Sequence, residues 1–325
     1  MKLEIVRYTD QYRSDWDKLV DSSVNGTFLH KRSFYDHNPL NANDDCSFLY
    51  LKKNRITGVV PCTLFQRNDK NILQSHLRST FGGFVINDEV GVEEALEIVE
   101  QLVSEARKLN VDEIIIRNPF RIFNQSLCDE TDYAMWYQGF KIRSREVEIA
   151  VDISKPLETI KSKYYNGNKY NIKKAVKHIT VTESTDFRYF WEILEKNLND
   201  KHGKSPVHSL EDIARLITCV GADKVKLFAA YHDSKMVCGM VLFVTSAKAI
   251  HAQYIGLDED FQEYRPLNVL IDFVIEWGHK AGYQYFNLGT ANENEGRDIN
   301  QGLFYFKESF GGRGVLRETM ALTLQ

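Results

Sequence analysis

The chain has 325 residues, of which 43% are hydrophobic and 26% charged, proportions of a globular protein long enough for two domains. A net charge of −4 and a pI of about 6.2 argue against a dedicated nucleic-acid binder, DNA included, while leaving room for a local basic site. Cys46, Cys62, Cys128, Cys219 and Cys238 are scattered without a CxxC pair. That excludes a disulfide framework or a zinc cluster by spacing and points to reduced thiols in the cytoplasm, with no metal expected.

In chain order, MKLEIVRYTD reads as a first strand rather than a signal peptide. No apolar run approaches the roughly 20 residues that cross a bilayer. In LHKRSF, Lys31 and Arg32 follow a glycine corner and are candidate anion contacts. Residues 47–65 predict a hairpin turning near Asn54, and residues 73–86 a further strand. The stretch 93–110 is an amphipathic helix with apolar residues at 95, 96, 98, 99, 102, 103, 106 and 109. A short strand (112–119), a short helix and a strand over 137–153 close this half after the corner Gly139–Phe140.

From Thr159 to Thr182 there are six lysines and no acid, with Tyr164, Tyr165 and Tyr170 interleaved. NGN (166–168) is read as separating two short helical stretches. In the second, Lys169, Lys173 and Lys177 recur every four residues. Like charges at that spacing repel, so the face either meets an anion such as a pyrophosphate or is simply solvated. The loop NDKHGKSPVHS brings His202 and His208, each either an acid–base group or a surface residue.

The second half repeats the order of the first. A hairpin (225–244) turns near Asp233–Ser234; a strand (249–258), a helix (268–282) and a strand (283–291) follow. Gly58 and Gly239 stand at matching places in the two returning strands. Asn287 and Thr290 end the strand 283–291, and Glu295 follows in TANENEGRD as a candidate base. DINQGLFYFKESFG reads as a helix capped by Asp298, with 303, 306, 307 and 310 on one face, and a strand over 309–324 finishes the chain. Lys307 then either snorkels over apolar surface or is a charge kept for chemistry. The shared order is hairpin, strand, helix, strand, helix, strand: a mixed α/β fold in tandem, with domains expected at 1–153 and 154–325, a cleft between them, and the donor site in the second.

Three stretches carry a family resemblance. YNGNKYNIKKAVKHITV (165–181) resembles the R-N-I-x-K-A-x-K-x-G-V segment of the Fem-type branch of GNAT acyltransferases, the non-ribosomal peptidyltransferases and their relatives. STFGGFV (79–85) is similar to their aromatic-Gly-Gly turn, and FKESFGG (306–312) to F-K-x-x-F-G-G near the end. The resemblance implies two GNAT-like domains in tandem and transfer of an acyl or aminoacyl group to an amine. Donors in the branch are acyl-CoA or aminoacyl-tRNA, and acceptors are often nucleotide-linked sugars or peptidoglycan precursors. It also implies that Lys307 sits by the transferred carbonyl. Against the GNAT pyrophosphate loop, Gln262 stands where Q/R belongs, but Arg265 and Leu267 stand where glycines should be, ahead of a helix opened by Pro266 and Asn268. Gln253, Tyr254 and Ile255 would line the acyl-donor strand, with backbone amides near 254–256 polarising the carbonyl. The preferred expectation is acyl transfer from acyl-CoA to an amino sugar carried on a nucleotide, in bacterial surface-polysaccharide synthesis. An aminoacyl-tRNA donor is the first alternative, and a non-catalytic binding protein with a decayed donor site is the second.

Overall fold

A computed structural model describes residues 3–203 and 205–324. The chain runs β1 (Glu4–Arg7), α1 (Arg13–Ser22), α2 (Arg32–Asp36), α3 (Asn41–Asp44), β2 (Phe48–Lys52), β3 (Arg55–Val60), β4 (Cys62–Arg67), β5 (Lys70–Ser75) and β6 (Val85–Ile86). It continues through α4 (Val92–Lys108), β7 (Glu113–Arg117), α5 (Glu130–Tyr137), β8 (Lys141–Asp152), α6 (Leu157–Ser162), α7 (Asn166–Ala175), β9 (Thr180–Ser184), α8 (Phe187–His202) and α9 (Leu210–Val220). It ends with β10 (Val225–His232), β11 (Lys235–Val244), β12 (Ala249–Leu257), α10 (Pro266–Lys280), β13 (Tyr285–Thr290), β14 (Asn292–Glu293), β15 (Asp298–Ile299), α11 (Gln301–Glu308) and β16 (Arg313–Thr323).

These elements form two compact units that interleave in sequence. Unit 1 is Met1–Glu146 with Asn292–Asp298 and Leu316–Gln325; unit 2 is Val147–Ala291 with Ile299–Val315.

Unit 1 holds the antiparallel order β1-β2-β3-β6 and the run β4-β5-β7-β16. In that run β5 and β7 are parallel and β7 and β16 antiparallel. The expected hairpin is β2–β3, turned through Lys53 and Asn54 at φ 52° and 60°, the left-handed pair that a two-residue hairpin turn demands. The single strand expected over 73–86 is instead two, β5 and β6. A second tight turn at Asn68–Asp69 pairs β5 with β4, and β6 returns to β3. The helix α4 buries the stripe Ala95, Ile98, Val99, Leu102, Val103 and Ala106. It covers a core with Phe48, Leu73 and Ile114, the outcome the 3.6-residue period dictates.

Unit 2 holds β8-β13-β12-β11-β10-β9, antiparallel throughout except for the parallel pair β12–β13. Its core gathers Phe228, Met240, Leu270, Ile275, Phe286 and Phe310. NGN (166–168) does not separate two helices but forms the first turn of α7, and Lys177 lies beyond that helix. The last helix is capped by Asn300, whose side chain accepts from Leu303 N–H. Asp298, the cap expected from sequence, lies in β15.

Candidate active site around Lys307

In α11 the lysine goes inside and two apolar residues go outside. Lys307 is 6% exposed, whereas Leu303 is 38% and Tyr305 64% exposed; Leu303 therefore does not share the buried face expected from spacing. Two glycines permit this seat. Gly311 adopts φ +77°, and a Cβ at Gly312 would lie 2.4 Å from Ile149 Cγ2 and 3.0 Å from the Lys307 carbonyl. Only glycine allows β16 to leave the helix so closely.

The Lys307 Nζ donates to the Thr290 carbonyl at 2.6 Å. Burial lowers its pKa to about 8, and the nearby charge of Glu148 offsets part of that. Glu148 is 1% exposed and Asn287 fully buried. Asn287 Nδ2 donates to Glu148 Oε2 at 2.7 Å, and its Oδ1 accepts from Gly289 N–H at 2.9 Å. Thr290 Oγ1 donates to the Val147 carbonyl at 3.0 Å. Gly289 has φ +79°, and the position its missing Cβ would take is 3.7 Å from Nζ and 4.0 Å from the Ala252 carbonyl. A buried cation therefore ends where β12 and β13 face each other, with no side chain at Gly289 to cover it.

The β12–β13 ladder registers Ala249–His251 with Tyr285–Asn287 and goes no further. On its other side β12 carries a bulge: Val241 opposes Tyr254 and Leu242 opposes Ala252, leaving Gln253 as the extra residue. Tyr254 O–H and His208 Nδ1 are 2.5 Å apart. Burial pushes the Tyr254 phenol up to about 12. Ile255 packs on the core.

Next to this strand is the start of α10. Arg265, in the left-handed region at φ 57°, is its N-cap, and Pro266 is its first residue. Gln262 and Arg265 are exposed. Asn268 is buried and donates to the Asn168 Oδ1 of α7. Asn168 is itself 5% exposed, and its Nδ2 has no partner among the described residues. Lys169 donates to the Ser162 carbonyl at 3.0 Å; Lys173 is exposed, as are Tyr170 and Tyr165. The ring of Tyr165 packs edge-on against Tyr305 at 5.3 Å.

Several expected contact residues have partners of their own. Tyr164 is buried, donates to Asp272 Oδ1 at 3.0 Å, and packs edge-on against Phe310, so it serves the core. Lys31 is paired with Asp21 at 2.6 Å. Arg32 is 4% exposed, bonded to Asp45 at 2.5 Å and stacked 3.7 Å over Tyr8, so its charge is spent inside unit 1. Glu295 is also in unit 1, beside Arg143 at 3.5 Å. The helix α8 ends at His202, whose side chain lies outside the described residues. Sequence reasoning missed Glu148 and Asn168. An acid within the strand run VEIAV was a readable signal for the first; an asparagine in a helical first turn carries no signal for the second.

Residues 162–297 match the family described as Acetyltransferase (GNAT) domain. No curated protein matches the sequence. Among solved structures, FemX superposes with a TM-score of 0.72 at 13% identity, covering 99% of this chain and 97% of that one. The C-terminal domain of a putative lysylphosphatidylglycerol synthetase from Agrobacterium fabrum gives 0.61 at 12% identity, covering 96% and 92%. A tandem GNAT protein from the clavulanic acid biosynthesis pathway gives 0.54 at 8% identity, covering 99% and 98%. The chain thus has a GNAT-like mixed α/β architecture, and the GNAT match over residues 162–297, which holds the parallel β12–β13 pair and ends before Lys307, supports an acyltransferase.

Proposed function

We propose that the chain moves an acyl group from acyl-CoA to the amino group of a nucleotide-linked amino sugar by direct attack. The observation that carries this is the buried Lys307 ammonium beside Gly289 and Thr290, at the end of the parallel β12–β13 ladder. A thioester carbonyl beside the β12 amides near 254–256 develops negative charge as the amine attacks. A desolvated ammonium and backbone N–H groups stabilise that charge more than water does. The new N–C bond forms, the C–S bond breaks, the thiolate takes a proton, and the amine gives one up. His208, hydrogen-bonded to Tyr254, is the acid–base relay of this reading. Asn287 and Glu148 hold the Gly289 backbone and the Lys307 charge.

The start of α10 supports a pyrophosphate here: the positive end of a helix with no side-chain cap, the unpartnered Asn168 Nδ2, and the exposed Lys173. The basic, tyrosine-bearing α7 supports a nucleotide-bearing acceptor. Calorimetry with CoA tests the donor; no binding at millimolar CoA sinks this reading. A second reading keeps the chemistry and takes aminoacyl-tRNA as donor. Arg265 and Leu267 favour it, because they occupy positions where glycines would let a pyrophosphate approach the backbone. Transfer from charged tRNA, with none from acyl-CoA, selects it.

A further inference from the structure

Unit 1 contains a cavity of about 260 Å³ that the acyl-transfer reading does not use. Four arginines line it, each from a different strand: Arg67 from β4, Arg117 from β7, Arg143 from β8 and Arg317 from β16. Gln74 of β5 lines it as well. Strand alternation builds the wall, since Gln74 pairs with Ile115 and Arg117 with Thr319, and all four line the cavity.

The cations are only partly neutralised from within. Arg317 donates to Glu146 Oε2 through Nε at 2.5 Å. Arg143 pairs with Glu113 at 3.1 Å and lies 3.5 Å from Glu295. Arg67 and Arg117 have no ion-pair partner among the described residues. Burial, and then the neighbouring Arg317, hold the Arg117 guanidinium below its ordinary pKa. The lining carries four arginines against two glutamates, Glu146 and Glu295, with Glu113 also on Arg143, which leaves a net positive charge for an anion. An independent feature points the same way. Gln74 is 3% exposed, and its Nε2, a donor, has no hydrogen-bond partner among the described residues. A buried amide N–H left unpaired costs free energy that an acceptor in the cavity restores.

We propose that this cavity is a binding site for a phosphoryl dianion, held by the guanidinium groups of Arg117 and Arg67 and by Gln74 Nε2. A phosphoryl group offers three acceptor oxygens to donors converging from several strands, and a guanidinium meets two of them in parallel. The group has two possible sources, a phosphate monoester or a nucleotide diphosphate. The site shares no residue with the Lys307 centre, so the two readings succeed or fail separately.

The test is calorimetry on the full chain with three probes: inorganic phosphate, a sugar monophosphate and uridine diphosphate. Succinate serves as a dicarboxylate control. The expected result is saturable phosphate binding that Arg117→Gln and Arg67→Ala each weaken about tenfold or more, and that Arg188→Ala, an exposed charge in unit 2, leaves unchanged. Arg67 is exposed at a strand end, so its variant keeps the test open if Arg117→Gln folds poorly. Tighter binding of uridine diphosphate, lost in both variants, assigns a nucleotide source; tighter binding of the monophosphate assigns a monoester. Absent phosphate binding, equal binding by the Arg67 and Arg117 variants, or a preference for succinate overturns the proposal.

Discussion

At the residue scale, Lys307 makes two predictions of opposite sign. With a pKa near 8, its amine is about nine-tenths protonated at pH 7. If the ammonium stabilises the oxyanion, kcat falls as pH rises through about 8. Lys307→Ala lowers kcat by roughly 10²–10³, the loss typical of one oxyanion donor, at all pH values below that limb. Stability moves the other way. The folded pKa lies below the ordinary 10.5, so the unfolded chain binds the extra proton between about 8 and 10.5. Folding therefore gains stability as pH rises through that window, on the order of 3 kcal/mol when complete. Rate and melting temperature measured over the same pH range separate the two effects; a flat kcat profile rules out the charged lysine. Glu148→Gln removes the one charge that raises the lysine's pKa and keeps an acceptor for Asn287. It shifts the alkaline limb of kcat to lower pH, which the same profile reads.

At the element scale, the two halves use matching glycines differently. Gly239 of β11 faces Gly256 of β12 in register, and α8 packs down onto the pair. A Cβ at Gly239 would lie 2.3 Å from the Phe190 ring, and one at Gly256 would lie 3.2 Å from the Leu194 Cα. At Gly58 an added Cβ meets nothing nearer than 3.4 Å. Gly239→Ala therefore destabilises by about 1–3 kcal/mol through overpacking. Gly58→Ala is neutral or stabilises by up to about 1 kcal/mol through chain entropy. Urea midpoints of the two variants check this; equal shifts would mean that α8 does not bear on the pair. The contrast shows what a sequence can carry. Turn residues at 53–54 and 233–234, the apolar stripe of α4 and the glycine pair 311–312 are local patterns, and each was legible. The seat of α8 depends on two glycines brought opposite by strand register. The arginine cavity depends on four residues from four strands. Neither leaves a periodic trace along the chain. Lys307 was legible because its oddity is local: one cation among four aromatics.

At the scale of the whole molecule, sequence order is not unit order. The segments 292–298 and 316–325 belong to unit 1 although they follow all of β9–β13. A tandem reading by halves assigns them to the second, since nothing in their composition announces that β16 pairs with β7. Glu295 belongs to unit 1 through this interleaving. Unit 1 also carries an acid weakness in its core. His30 is 1% exposed, accepts from Thr27 N–H at Nδ1, and has Nε2 3.0 Å from the Gly82 carbonyl. His76 is equally buried, with Nε2 2.7 Å from the Leu29 carbonyl and no partner at Nδ1 among the described residues. Burial holds their pKa values down to about 4 and about 3. Both are neutral when folded, while the unfolded chain protonates them near 6.5. Stability is therefore lost as pH falls through 6.5, and the loss is complete below about 3, amounting to on the order of 8 kcal/mol for the pair. Trp16 donates its indole N–H to the His30 carbonyl at 2.8 Å, and the same segment bears α2. Hydrogen exchange in Phe28–His30 and α2 is expected to rise between pH 6 and 4, before exchange rises in β10–β12 of unit 2. Replacing His76 with Gln, which keeps a donor for the Leu29 carbonyl and cannot take the proton, flattens that pH dependence. Simultaneous opening of both segments, or an unchanged profile in His76→Gln, would remove the buried histidines as its cause.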